Sequence, residues 1–380
     1  MKYIDEFRDG EAAQRLADSI RAEVQPDQRY QLMEFCGGHT HAIHRYGIQD
    51  LLPVGIRMVH GPGCPVCVLP IGRLDMALGL AEKPEVILCS YGDMLRVPGS
   101  GGRSLIRARG QGCDVRMVYS ASDALELARR HPDRQVVFFA IGFETTTPPT
   151  AVAVKRAAAE GLGNFSVLCN HVLTPAAITY LLDSPEAREL GAVPIDGFLG
   201  PAHVSVVIGS KPYEPFAARY RKPVVISGFE PLDVVQSIHM LVRQINDGRA
   251  EVENQYTRAV TRLGNQKAQK LVAEIFETRS EFEWRGLGIV PDSALAVRRK
   301  YGDFDAERRF GLEYAPVPDN HACECGAILR GVLQPTDCKL FGRTCTPETP
   351  MGSCMVSSEG ACAAYHHYGR FRGAGSEPHA

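Results

Sequence analysis

The chain has 380 residues, 44% of them apolar and 23% charged, and a formal net charge of −2. This is the composition of a globular protein with an ample core, and it carries no charge run or positive excess that would attract a nucleic-acid backbone or an anionic membrane surface. No stretch approaches the ~18 apolar residues of a membrane span and the start lacks an apolar leader, so the reading is a cytoplasmic protein whose 12 cysteines serve metal binding or thiol chemistry rather than a disulfide framework.

In chain order, residues 1–24 read as an acidic amphipathic helix, and 30–35 (YQLMEF) as a strand running into Cys36-Gly-Gly-His39-Thr-His41. A strand at 56–60 leads to Gly61-Pro-Gly-Cys64-Pro-Val-Cys67 and then a helix over about 71–81. Further strands are expected at 86–90 and 114–119, with a helix at 121–130 behind a Ser120/Ser122 cap. A second series follows His131-Pro132. Residues 136–141 form an apolar run typical of a buried parallel strand, followed by Gly142-Phe-Glu144-Thr-Thr146 and a helix through Glu160; strands recur at 165–170, 197–200 and 223–227. Residues 233–275 read as helical, and beyond Trp284 the text becomes loop-rich. The fold class is therefore α/β, with two tandem Rossmann-like parallel-sheet lobes and a helical, loop-rich C-terminal domain. The expected boundaries are 1–44 for the first helix and the Cys36 loop, 45–130 and 131–232 for the lobes, and 233–380 for the cysteine-bearing region.

Three sets of residues carry chemistry. Cys64-x-x-Cys67 has the spacing of half a metal site or of a dithiol that opens and closes by thiol–disulfide exchange. Cys36, His39 and His41 form a soft-plus-imidazole set suited to Fe, Zn, Ni or Cu, the alternative being a buried cysteine with two surface histidines. Both loops would lie at carboxyl ends of strands, where α/β proteins gather ligands. Cys89, Cys113 and Cys169 stand singly in or beside apolar runs and read as core. Glu144, Thr145, Thr146, His171 and His203 fall at strand ends and are expected to line a cleft as acid, base or hydrogen-bonding groups. Gly99-Ser-Gly-Gly102 lacks the lysine and hydroxyl of a phosphate loop, so nucleotide binding has no support.

The third set is the tail, Cys323-x-Cys325-x12-Cys338-x6-Cys345-x8-Cys354-x7-Cys362. A zinc ribbon would show paired Cys-x-x-Cys knuckles, and the tail has none. A [4Fe–4S] cluster takes four thiolates at irregular spacing, which would leave two thiols for a redox pair beside it.

With Cys36-Gly-Gly-His-x-His41, Gly61-Pro-Gly-Cys64-Pro-Val-Cys67, Gly142-Phe-Glu-Thr-Thr146 and the tail string Cys345-Thr-Pro-Glu…Gly352-Ser-Cys354-Met-Val-Ser…Glu359-Gly-Ala-Cys362 in one chain, the sequence closely resembles the hydrogenase maturation factor HypD family over essentially its whole length. The resemblance implies a scaffold and redox protein for assembling the Fe(CN)2CO group of [NiFe]-hydrogenases, in complex with the small chaperone HypC and receiving cyanide from HypE. It implies that Cys36 coordinates the iron, that Cys64 and Cys67 form an adjacent redox dithiol, and that a [4Fe–4S] cluster is present. By the same analogy Cys323, Cys338, Cys345 and Cys362 are its ligands and Cys325 and Cys354 the spare pair. His39 and His41 would orient Cys36 or handle protons. A stand-alone thiol–disulfide reductase built on the same cysteines is the competing expectation.

Overall fold

Long apolar runs find a stable place in an α/β protein as parallel strands covered on both faces, and such runs supply most of the strands here. The computed structural model describes residues 5–183, 189 and 194–369. The first four residues of the expected N-terminal helix and residues 370–380 of the expected C-terminal domain lie outside the described residues. The described strands are β1 (Tyr30–Glu34), β2 (Ile56–His60), β3 (Val86–Ser90), β4 (Val115–Met117), β5 (Gln135–Gly142), β6 (Phe165–His171), β7 (Gly197–Pro201), β8 (Val224–Ser227), β9 (Val252–Asn254), β10 (Phe276–Trp284) and β11 (Gly288–Val297). The architecture is α/β with two parallel sheets and a helical, loop-rich C-terminal region.

The chain forms two compact units, each drawn from separate segments. The first comprises Met1–Cys64, Leu181–Gly264 and Ala322–Ala380. Its five-stranded sheet has the order β2-β1-β7-β8-β9, with every pairing parallel. Tyr30, Leu32, Met58, Leu199 and Val225 meet Ile20 of the helix Gly10–Glu23 and Ile238 and Leu241 of the helix Pro231–Asn246 in one core. The N-cap Asp9 accepts from the amides of Glu11 and Ala12, which fixes where the first of these helices starts.

The second unit, Pro65–Tyr180 with Asn265–His321, holds a four-stranded parallel sheet of order β4-β3-β5-β6 and the antiparallel hairpin β10-β11. Phe138, Phe165, Val154 and Leu125 fill its core together with Cys89 and Cys169. Burial pushes these two thiols up, to about 12 and about 11, and leaves them inert, as expected for core cysteines. Cys113 is only partly buried.

Two segments differ from expectation. Residues 233–275 are not continuously helical, because the short, polar edge strand β9 separates two helices, and three residues give no periodicity to read. The segment from 276 to 297 is a hairpin rather than the end of a helix and a loop. β10 alternates charged exposed residues with Phe276, Phe282 and Trp284, and its turn contains Gly286 at a φ of 80°. Among the described residues no helix is long and apolar enough to cross a membrane.

In the first unit, the loop after β8 is clamped by a buried ion pair. Asp233 is 0% exposed and receives both Arg258 guanidinium nitrogens at 2.8 and 2.5 Å, with the guanidinium 4.1 Å from the ring centres of both Phe7 and Tyr256. Removing one partner of a buried pair leaves the other charge uncompensated. Arg258→Ala is therefore expected to cost about 3 kcal/mol or more, read as a lower urea midpoint, whereas Arg249→Ala at an exposed pair should change it little.

Candidate metal and redox site

Adjacent parallel strands deliver their following loops side by side, and in the first unit β1 and β2 pair along their whole length, Glu34 facing His60. The loop after β1 presents Cys36, in extended conformation, as N-cap of the helix Gly37–Arg45. The loop after β2 leads to Cys64, and the Gly37 amide donates to the Gly63 carbonyl at 3.2 Å. Glu34, 1% exposed, holds this arrangement: its carboxylate accepts from the Cys36 amide at 2.9 Å, from Nδ1 of His60 at 2.8 Å and from the Thr40 hydroxyl. Burial pushes the Glu34 carboxyl up, against the pull of His60 and Thr40. His60 in turn faces His44, Nε2 to Nε2 at 3.4 Å, and both rings touch Tyr365 of the helix Ala361–Gly369.

The glycines around Cys36 follow from this crowding. A Cβ on Gly63 would come closer than 3.0 Å to the Cys36 backbone, one on Gly37 would meet the backbone and Cβ of Glu359, and one on Gly38 would meet the Phe229 ring. Phe229 packs against both His39 and His203, with centroids 4.9 and 5.3 Å away. Nδ1 of His203 lies 3.3 Å from the Cys36 sulfur. Nε2 of His39 donates to the carbonyls of Ser227 and Gly228 at 2.9 and 3.2 Å, which leaves Nδ1 as the bare nitrogen, buried and without a hydrogen-bond partner among the described residues. Burial lowers both imidazoles to about 4, so both are neutral near pH 7. Cys36 is 2% exposed. Its thiol is pushed well up by burial and next by Glu359, while the helix-start amides of Gly38 and His39 pull the other way. His41 turns elsewhere and meets the Tyr368 hydroxyl at 3.3 Å. Cys64 and Cys67 are both in disulfide form, Cys64 closing the first unit's loop and Cys67 within the helix Pro65–Val68 of the second.

The tail makes a second constellation in the first unit. Cys323, Cys338, Cys345 and Cys362 are thiols outside any disulfide, and Cys325 is bonded to Cys354. All six line one small, partly open recess with Ile328, Leu340, Phe341 and Met355. Burial pushes the Cys362 thiol well up, and Cys323, Cys345 and Cys338 push it further, so all three lie within electrostatic reach of it. A Cβ on Gly352 would stand 2.6 Å from the Cys323 sulfur, and the Met351 amide donates to the Cys345 sulfur at 3.3 Å. Among the described residues no three His, Cys, Asp or Glu side chains are grouped to hold a metal ion; the thiols line a space rather than meet at a point.

In the second unit, Glu144 and His171 serve the framework. Glu144 accepts from the amide and hydroxyl of Thr174 at 2.8 and 2.9 Å and so caps the following helix, and burial raises its carboxyl to about 7. His171 lies between the Thr146 and Thr150 hydroxyls, lowered to about 4 by burial. The strand-end residues thus divide: His203 joins Cys36, whereas Glu144, Thr146 and His171 brace the other sheet.

A sequence model described as HypD, hydrogenase formation hypA family, matches residues 11–369. The chain belongs to the HypD family. It is 69% identical over 372 residues to the hydrogenase maturation factor HypD of Cupriavidus necator, covering 98% of each chain. It is 64% identical to the hydrogenase expression/formation protein HupD of Azotobacter chroococcum over 99% of each, and 44% identical to the hydrogenase maturation factor HypD of Escherichia coli K12 over 97% of this chain and 98% of that one.

Sequence reasoning passed over Glu34, His60, Phe229 and Glu359 in this family member. One signal was present: Glu34 is a carboxylate between Leu32-Met33 and Phe35 in a strand run, where only a structural or chemical need keeps a charge.

Two outcomes test these contacts. Gly63→Ala is expected to cost roughly 1–3 kcal/mol by overpacking, read by chemical denaturation, while Gly79→Ala, with open space around it, should not destabilise. Because Glu144 binds its proton more tightly folded than unfolded, its contribution is complete below about pH 4.5 and is lost as pH rises towards 7. Urea unfolding across that window should show stability falling with pH in the natural protein and a flatter profile in Glu144→Gln.

Proposed function

We propose that this chain is a metallocentre-assembly scaffold with redox activity, acting in the cytoplasm in [NiFe]-hydrogenase maturation. Its cargo would be an iron atom receiving cyanide and carbon monoxide, the Fe(CN)2CO group, with Cys36 as one ligand, a thiolate of HypC as another and HypE as the cyanide donor. The observation that carries the reading is the tail: four reduced cysteines line one largely apolar recess beside an oxidised pair, in the same unit as a cysteine presented at a helix N-terminus.

The donor set fits a [4Fe–4S] cluster. Cys323, Cys338, Cys345 and Cys362 supply four sulfurs lining one recess, and the Met351 amide already donates to one of them. Such a cluster supplies single electrons. The chain's own residues do the rest. Cys325–Cys354 and Cys64/Cys67 are dithiol–disulfide couples that hold electrons in pairs. Glu34 fixes the backbone of Cys36, Phe229 and Gly38 set the width of its pocket, and soft sulfur suits an electron-rich iron carrying cyanide and carbonyl. His203, neutral and 3.3 Å from the sulfur, can take up the thiol proton as the sulfur binds its cargo. His39 is held by two carbonyls and orients the same wall.

The two oxidised pairs also favour a second reading, a stand-alone thiol–disulfide reductase. Cys36 separates them. Anaerobically produced protein should be brown and contain iron and labile sulfide, and Cys338→Ser should lose both. Coexpressed with HypC, the natural protein is expected to show cyanide and carbonyl stretches in the infrared that Cys36→Ala lacks. Bands that persist in Cys36→Ala, or their absence from the natural complex together with disulfide reduction that does not need Cys36, would favour the reductase.

A further inference from the structure

Cys338 and Cys362 reach the tail recess from two different elements. Cys362 is in the helix Ala361–Gly369, and Cys338 directly follows the short turn Pro335–Asp337. Gln334 caps that turn: its side chain accepts from the Asp337 amide, and the Asp337 carboxylate accepts from the Gln334 amide at 2.8 Å. The Tyr365 hydroxyl donates to the Gln334 side-chain oxygen. Tyr365 stands one helical turn after Cys362, so one side chain joins the helix that carries one thiol to the turn that carries another.

The same ring also belongs to the surroundings of Cys36. It packs against His44, with centroids 4.1 Å apart, and against His60 at 5.7 Å. His44 lies in the helix that Cys36 caps, and His60 donates from Nδ1 to Glu34, the carboxylate that holds the Cys36 amide. Both imidazoles are buried, and in a close-packed interior neither shifts without displacing the ring. The two helices touch directly as well, and His41 meets Tyr368; what Tyr365 adds is the reach to the turn before Cys338.

We propose that Tyr365 is a positioning residue that couples the two constellations, so that filling of the tail recess steadies the helix and loop of Cys36, the cluster reading above supplying what fills the recess. A group bound by Cys338 and Cys362 together ties the turn to the helix at their sulfur ends. This holds Gln334 and with it the Tyr365 ring, and the ring holds His44 and His60. The cargo cysteine is then presented firmly in a chain whose tail is already loaded, which sets an order of events: tail first, cargo second. Coupling of this kind is reciprocal, so a loosened Cys36 helix weakens the hold of the tail on its group.

The test compares full-length protein, prepared anaerobically, before and after reconstitution with ferrous iron and sulfide. Amide hydrogen exchange of residues 37–45 is followed by mass spectrometry, and bound iron and sulfide are measured in each sample. Reconstitution is expected to slow exchange over 37–45 by about fivefold or more in the natural protein. The slowing should be clearly smaller in Tyr365→Phe, which keeps the ring against the histidines and gives up the bond to Gln334. Gln334→Ala removes the same bond from its other end and should behave alike, so the comparison survives if one variant does not fold. A loaded natural protein with no slowing, or equal slowing in the natural protein and the variants at equal iron content, would overturn the coupling and leave the cluster reading standing. A chain that takes up neither iron nor sulfide would overturn the cluster reading and the coupling with it, and the iron content tells the two failures apart.

Discussion

A carboxylate buried to 1% exposure survives only when donors surround it, and the donors around Glu34 organise the first unit. They come from the Cys36 amide, Thr40 one helical turn on, and His60 on the neighbouring strand. A hydrogen bond to a charged, buried acceptor is worth roughly 1.5–3 kcal/mol, so three such donors fix the Cys36 loop firmly. From His60 the contacts run to His44 and Tyr365, which brings the helix carrying Cys362 to the same place. One residue at a strand end thus ties the N-terminal strand pair to the C-terminal tail across more than three hundred residues of sequence, which loop-closure entropy would otherwise oppose.

That constraint explains why the site is glycine-rich without being loose. Gly37, Gly38 and Gly63 occur where backbone or ring atoms press on the Cys36 loop from three sides, so each glycine marks a close approach rather than a hinge. The pocket is narrow, its two nearest imidazoles are neutral, and its thiol is raised by burial.

Much of this could be read from the chain, for physical reasons. Strands β3 and β5 are apolar but for one terminal residue each, and fully buried parallel strands show this signature. Cys36 and Cys64 could be placed at carboxyl ends of strands because turn residues follow each run directly. What the sequence hides is non-local. That β7 and β8 join β1 rather than β6 is decided by packing between segments more than a hundred residues apart, which no local pattern encodes. β9 is too short and β10 too charged to stand out. Glu144 and His203 looked alike as polar residues after strands, yet one caps a helix and the other faces a thiol, a distinction made only by the neighbours each acquires on folding.

Cys36 is presented by a loop made rigid through Glu34, and the sharpest check of this rigidity is amide hydrogen exchange. With full-length protein under native conditions, followed by mass spectrometry at peptide resolution, Glu34→Ala should lose protection across residues 35–41 while the β5 and β6 segments of the other unit keep theirs. Protection of residues 35–41 that is unchanged in Glu34→Ala would overturn this role of Glu34, because the cysteine would then owe its position to something other than that carboxylate.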